Sequence, residues 1–254
     1  MVRSGSALVT GASHGLGAHI ARRLAADGWP TAVNYPSGAQ ADVEREKAQR
    51  VVEEIRAGGA VAEAFAADAT DEEQVRDLVA EAASALGPVD VLVVNATGPQ
   101  PVVPVEELTW QRHLDQLEYF VKSPTLLVQA VLPEMKRRGG GRIVQIGSDI
   151  VEGALPGWSA YAAAKAAQLE LTRIWARELG PHGITVNLVA PGWIPVERHA
   201  DSTPEERVRY LAQVPLERFG SPEDVAAAVS FLAGDAARFV TAARLPVNGG
   251  AVLG

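Results

Sequence analysis

The chain has 254 residues, 47% hydrophobic and 21% charged, enough apolar material for a sizeable core in a soluble globular protein. Its net charge of −8 argues against nucleic acid as a partner, because such binders carry a basic surface. The absence of cysteine excludes disulfides, thiolate catalysis and cysteine metal sites. No apolar run is long enough to span a membrane, and Met1–Ser6 lacks the charged start and apolar core of a signal peptide. A cytoplasmic location without membrane attachment is expected.

Short apolar runs alternate with longer amphipathic stretches along the chain. Strand Ala7–Thr10 leads into a helix over Gly15–Asp27, and strand Thr31–Tyr35 into a charged helix over Ala39–Ala57. Strand Val61–Ala66 precedes helix Glu72–Leu86, and Val89–Asn95 reads as a strand buried on both faces. One long helical region covers Glu106–Arg138, followed by strand Arg142–Ile146, helix Trp158–Leu179 and strand Ile184–Ala190. After a polar segment, Pro191–Pro204, come helices near Glu205–Gln213 and Pro222–Leu232 and a last strand near Arg244–Val247. Ser221-Pro222 reads as a helix cap followed by proline at the first helical position. Such alternation implies parallel strands joined by crossover helices, with no linker or repeat to divide the chain. The fold class expected is α/β: one doubly wound parallel sheet over residues 1–254, with helices on both faces and ligands at the carboxyl ends of its strands.

The first strand runs into TGASHGLG, residues 10–17. Gly11 permits a tight exit, Gly15 a close backbone approach to phosphate, and Gly17 packing of the new helix on the sheet. The helix N-terminus offers free N–H groups and a partial positive charge to a pyrophosphate. A glycine-rich turn without a ligand is the plainer alternative, but the strand–loop–helix context is the one a dinucleotide requires.

The spacing GxxxGxG resembles that of the short-chain dehydrogenase/reductase family, and the resemblance extends over nearly the whole chain. It implies a Rossmann-type fold and a nicotinamide cofactor gripped by Ser13, His14 and Leu16 between the glycines. It also implies that Asp68, with Ala69 beside it, touches adenine; Asp68 reads equally as the cap of the following helix. NAD enzymes place an acid after the second strand to hold the ribose 2′-hydroxyl. Here VNYPSG, residues 33–38, offers Asn34, Tyr35 and Ser37 but neither an acid nor an arginine. His14, only partly charged near neutrality, stands where NADP members of the family often carry a basic residue. The missing acid favours NADP(H) over NAD(H).

The fifth strand ends in RIVQIGS, which puts Ser148 at its carboxyl edge, and YAAAK follows with Tyr161 and Lys165. Spacing of i and i+4 sets the Tyr and Lys on one helix face. A free phenol is a poor base at neutral pH, and a neighbouring ammonium favours its ionised form. Tyr and Lys at this spacing also occur on many helices with no function; the glycine loop and Ser148 make chance a poor account here. The resemblance implies that Ser148 polarises a carbonyl, Tyr161 transfers the proton, and Lys165 tunes Tyr161 and binds the nicotinamide ribose. It also implies that Pro191, Gly192 and Ile194 in VNLVAPGWI fix the nicotinamide. The expected activity is that of an NAD(P)-dependent carbonyl reductase or alcohol dehydrogenase, similar to the 3-oxoacyl-thioester reductases.

Three departures from the family pattern stand out. Val94, Asn95, Ala96 and Thr97 occupy its NNAG, so Thr97 replaces a glycine beside the adenosine ribose. The family asparagine of the long helix, which routes protons from the lysine, is absent; counting from Trp110 puts Leu117 there, and counting back from Pro133 puts Phe120 there. The mismatch implies an insertion, and Ser123-Pro124 predicts a break near Lys122–Ser123 with Ser123 capping the second segment. Gln116, Glu118, Lys122 or Ser123 are the candidates for the missing polar group. Val196 stands where a threonine often meets the carboxamide.

The substrate pocket is expected from Pro99–Val103, Ser148–Trp158 and Trp193–Gln213, with Trp158, Trp193, Tyr119 and Phe120 either lining it or packing the core. Glu197, Arg198 and His199 would meet a polar substrate or form a solvated lid. The five histidines show no metal-ligand clustering, so no metal is expected. The resemblance implies a homotetramer, with a dimer second, through the long helices and the apolar Val229–Leu232 and Val247–Leu253. A nucleotide-binding sensor with weak or no catalysis is the alternative, motivated by Thr97 and the lost asparagine. A non-redox dehalogenase fits less well, because the glycine loop and Lys165 are both retained.

Overall fold

The computed structural model describes residues 5–39, 41–197 and 202–252. Seven strands, β1 (Ser6–Val9), β2 (Thr31–Tyr35), β3 (Ala62–Ala66), β4 (Val89–Val94), β5 (Gly141–Ile146), β6 (Ile184–Pro191) and β7 (Arg244–Val247), form one sheet in the order β3-β2-β1-β4-β5-β6-β7. Every pairing is parallel. The chain steps outward from β1 to β3, then crosses back over β1 to β4, so the order reverses between β1 and β4. A cleft opens there at the carboxyl ends of the strands, as crossover connections require.

The strands read as continuous apolar runs because both faces of the sheet are covered. β1, β2 and β6 are buried at every position. Successive side chains alternate between two layers. Ala7, Val9, Val91 and Val93 meet α1 (Gly15–Ala26), α2 (Ala41–Ala57) and α9 (Pro222–Ala233) through Ile20, Leu24, Val52, Ile55, Val229 and Leu232. Leu8, Leu92 and Ile143 meet α3 (Glu72–Leu86), α5 (Ser123–Arg138) and α7 (Ser159–Leu179) through Leu78, Leu127, Val131 and Leu179. Among the described residues, no helix is long and apolar enough to cross a membrane.

The cap of α9 follows the sequence, and that of α3 does not. Ser221 and Asp224 form a reciprocal capping box at the start of α9, and Thr203 and Glu206 form another on α8 (Pro204–Leu211). Asp68 does not cap α3. Its Oδ1 accepts from the N–H and hydroxyl of Thr70, at 2.8 and 2.7 Å, closing an Asx-type turn. Asp71 is the cap, accepting from Gln74 N at 2.9 Å.

The long helical region differs most from expectation. It begins at Trp110, not Glu106, because Thr109 caps the first turn of α4 (Trp110–Leu117). No break follows at Lys122–Ser123, and both residues keep right-handed helical dihedrals. Glu118–Lys122 forms a π turn instead, in which Ser123 N–H donates to the Glu118 carbonyl five residues back. In a regular helix the Pro124 ring would strike the carbonyl of Phe120, and the wider turn relieves that clash. Ser123 is therefore no cap; its hydroxyl is buried without a partner. A short helix the sequence did not announce, α6 (Ile150–Gly153), follows β5.

Candidate active site

The cleft has a volume of about 500 Å³ and runs from the glycine loop to the start of α7. Gly11, Ser13, His14, Gly15, Leu16 and Gly17 line one end. The loop is held by side chains that spend their hydrogen bonds on backbone. Asn34 Oδ1 accepts from Gly11 N at 3.2 Å, while its amide donates to carbonyls of β2 and the end of β3. Asn95 donates to the carbonyls of Thr10 and Gly11 at 2.9 and 3.0 Å, and Thr10 Oγ1 accepts from the N–H of Asn95 and Ala96. A Cβ on Gly17 would lie 2.2 Å from the Gly11 carbonyl and 2.6 Å from Asn95 Nδ2, so only glycine lets α1 start this close to β1.

These residues fit the phosphates of a dinucleotide. The first turn of α1 carries no acid, and the side chain of His14, at the cap position, makes no bond to its N–H groups. Those donors and the helix dipole are left to a ligand. Asp68, Ala69, Asn95, Ala96 and Thr97 continue the cleft wall, and Pro191, Gly192, Ile194 and Val196 close it from β6. Tyr35 does not reach the cleft: its side chain is buried in the apolar layer beneath, and Pro36 and Ser37 take the wall there. Thr97 stands at the rim, its hydroxyl accepting from Gln100 Nε2 at 2.8 Å, so the extra bulk relative to glycine points to solvent. Gly98 carries the steric demand instead, because a Cβ there would sit 2.2 Å from the Tyr119 ring.

At the other end stand Ser148, Tyr161 and Lys165. Ser148 Oγ accepts from Ile150 N at 3.2 Å, which leaves its O–H free in direction to donate into the cleft. The Tyr161 ring is held edge-on by Phe120 and Trp158, at centroid distances of 5.4 and 5.5 Å. Lys165 is almost wholly buried and donates to the Ile146 carbonyl at 2.7 Å and Gln168 Oε1 at 3.0 Å. Its ammonium lies 5.7 Å from the Tyr161 ring centroid and 3.8 Å from that of Phe120. Of the two counts along the long helix, the one giving Phe120 identifies the residue that faces Lys165. The polar candidates turn elsewhere: Gln116 donates to the Pro99 carbonyl, and Glu118 and Lys122 pair with one another. An aromatic face thus meets the ammonium where the family pattern has an amide.

The three segments expected to form the substrate pocket converge. Val103 N donates to the Gly157 carbonyl at 2.8 Å, strapping the loop after β4 to the loop before α7. Pro99, Gln100 and Tyr119 line the cleft, and Val196 and Glu197 line it opposite the glycine loop, Glu197 Oε2 lying 3.6 Å from where a Cβ of Gly15 would stand. Phe120 and Trp158 pack around Tyr161, and Trp193 packs against Tyr210 and Phe219. Arg198 and His199 lie outside the described residues. Directly behind Ser148, burial pushes the Asp149 carboxyl up to about 6, opposed by Asn248 and Arg244. Asp149 was not singled out from the sequence; a lone acid after a strand carries no signal until its burial is known.

The family model described as enoyl-(acyl carrier protein) reductase matches residues 11–252. The 3-oxoacyl-(acyl-carrier-protein) reductase FabG of Staphylococcus aureus is 39% identical over 247 residues, 96% of this chain and 97% of that protein. L-rhamnose 1-dehydrogenase (NAD(P)(+)) of Azotobacter vinelandii is 39% identical over 248 residues, 96% and 94% of the two chains. Among solved structures, a blue fluorescent protein from a metagenomic library, in complex with NADPH, superposes with a TM-score of 0.89 at 40% identity, covering 99% of both chains. Fold and relatives together define an NAD(P)-dependent oxidoreductase. The chain belongs to the short-chain dehydrogenase/reductase family.

Proposed function

We propose that the chain interconverts a carbonyl and an alcohol with NADP(H) in preference to NAD(H), using Tyr161 as general acid/base, Ser148 as substrate anchor and Lys165 as the charge that tunes Tyr161. The observation that carries this is the meeting of these three side chains at one end of a cleft whose other end is a phosphate cradle. When bound, the nicotinamide supplies or accepts the hydride. Ser148 donates a hydrogen bond to the substrate oxygen and holds it beside the phenol. In reduction the Tyr161 hydroxyl gives its proton to that oxygen; in oxidation the phenolate takes it. The buried Lys165 ammonium favours the phenolate through the low-dielectric interior. The NADP preference rests on the missing acid after β2 and is supported by the NADPH held by the blue fluorescent protein. Val229 and Leu232, expected at a subunit contact, are buried in the core, and Leu253 lies outside the described residues; exposed Trp110, Leu114 and Ile174 on α4 and α7 support assembly of this single domain into a homotetramer, with a dimer as the smaller alternative.

Carbonyl turnover followed at 340 nm tests the reading. Tyr161→Phe is expected to lose turnover by about two to four orders of magnitude. NADPH affinity should stay within a few-fold. Tight NADPH binding without turnover in the wild type would move the protein to the sensor class, and turnover undiminished in Tyr161→Phe would remove Tyr161 as the acid/base.

A further inference from the structure

Three contacts that hold the ammonium of Lys165 are with neutral groups. It donates to the Ile146 carbonyl at 2.7 Å and to Gln168 Oε1 at 3.0 Å, and it lies 3.8 Å from the centroid of the Phe120 ring. A carboxylate in any of these places would cancel the charge that Tyr161 needs beside it. Dipoles and a ring face hold the charge and leave its field intact. Lys165 is 4% exposed and Phe120 2%, so the contact between them is shielded from water. A dry cation–ring contact at this distance is at the strong end of its range.

Phe120 touches the other partner as well. Its ring meets that of Tyr161 edge-on, at 5.4 Å and 79°, and the two share a buried cluster with Ile150 and Ala164. One side chain therefore sets both the lysine and the tyrosine. The backbone delivers it: the π turn over Glu118–Lys122 turns Phe120 inward, while Glu118 and Lys122 pair with one another at the surface. An amide in this place would carry N–H donors into a pocket walled by Ile150, Ala164 and the Tyr161 ring, where an unmatched donor is costly. A phenyl ring brings no donor and still attracts a cation.

We propose that Phe120 is a positioning residue for the proton transfer: the face of its ring seats the Lys165 ammonium and fixes that charge against Tyr161, in place of a hydrogen-bonding side chain. This rests on the redox reading above. A charge seated in advance does not have to move as the phenol gains or loses its proton, and that saving appears in kcat. Substrate binding, which falls to Ser148, does not depend on it.

Phenylalanines bearing one, two and three ring fluorines, placed at position 120, test it alongside Phe120→Leu. Fluorine draws electron density from the ring face at almost constant volume, so it weakens a cation–ring contact and leaves the packing as it was. The first readout needs no substrate. Isotope-labelled lysine gives nuclear magnetic resonance signals from Lys47, Lys122, Lys136 and Lys165 alone, and Lys165→Arg assigns the last. The methylene protons beside the Lys165 ammonium should lie upfield of the other three, as a ring above them requires, and should lose that shift in Phe120→Leu. The second readout is reduction by NADPH of a carbonyl panel that includes ethyl acetoacetate and cyclohexanone. There kcat should fall with each added fluorine, about tenfold over the series, within the roughly 30-fold that a dry cation–ring contact is worth. KM for the carbonyl should hold. The fluorinated chains decide the matter even if Phe120→Leu folds poorly. A kcat that is flat along the fluorine series, or a Lys165 signal with no upfield shift, reduces the ring to packing and overturns the inference while leaving the redox reading intact. A wild type that binds NADPH and reduces no member of the panel overturns both.

Discussion

The two ends of the cleft are built by different means. At the phosphate end the ligand surface is backbone: Gly11, Gly15 and Gly17 bring main chain together, and Asn34 and Asn95 brace it from behind. At the catalytic end the surface is side chains from separate elements, with Ser148 after β5, Tyr161 and Lys165 on α7, and Phe120 from the π turn. At Gly11 and Gly17 the backbone surface has no room for an added atom, whereas a side-chain surface can exchange one group for another. The chain illustrates both, keeping every glycine of the loop while setting an aromatic ring over Lys165.

The sharpest way to break that contrast is Gly17→Ala. The new methyl would meet the Gly11 carbonyl at 2.2 Å and the Ala12 Cα at 2.9 Å, both main chain that cannot swing aside. α1 must shift off the loop and carry its free N–H groups out of line with a bound phosphate, a loss of about 1.5–3 kcal/mol, or roughly ten- to 100-fold in affinity. Titration with NADPH should show that loss, with thermal stability reduced by about 1–3 kcal/mol from overpacking. Affinity within a few-fold of wild type would show that the phosphate end is as adaptable as the catalytic end.

That contrast also explains what the sequence made legible. Glycine spacing and strand runs depend on local geometry, so the parallel, doubly wound sheet was readable, and the residues expected at the cradle and at Ser148, Tyr161 and Lys165 line one cleft. Tyr35 was misjudged because the alternation of β2 turns it into the core, while Pro36 and Ser37 reach the wall. The region facing Lys165 was not readable, because one π turn rotates all that follows it, and helix counts taken from either side disagree. Asp149 was invisible for another reason: its state comes from burial and from a partner 99 residues away in sequence.

Asp149 gives a second test, confined to the catalytic end. Its carboxyl titrates at about 6 in the fold against 3.8 when free, because it is buried. The folded state therefore binds the proton more tightly than the unfolded chain. Stability is greatest below the free value and is lost as pH rises through about 6. Above that, the ionised side chain costs about 2 kcal/mol, allowing for its partial solvation. Asp149→Asn should raise stability at pH 8 by about that amount and flatten its dependence between pH 4 and 7. Denaturant unfolding at pH 5 and 8 would check this, and equal slopes for both proteins would count against it.

The smallest effect discriminates most finely between two accounts of the long helix. If Ser123 capped a second segment, Ser123→Ala would remove a bond to the helix N-terminus and cost about 1 kcal/mol. In the structure the helix runs through Ser123 as a π turn, and the hydroxyl is buried with no partner. Removing an unsatisfied buried hydroxyl is neutral or stabilising, by about 0.5–1 kcal/mol. The sign of the stability change in Ser123→Ala therefore reports the backbone. Because the π turn also presents Phe120 to Lys165, a loss of stability would place in doubt the aromatic face at the catalytic end as well as the helix itself.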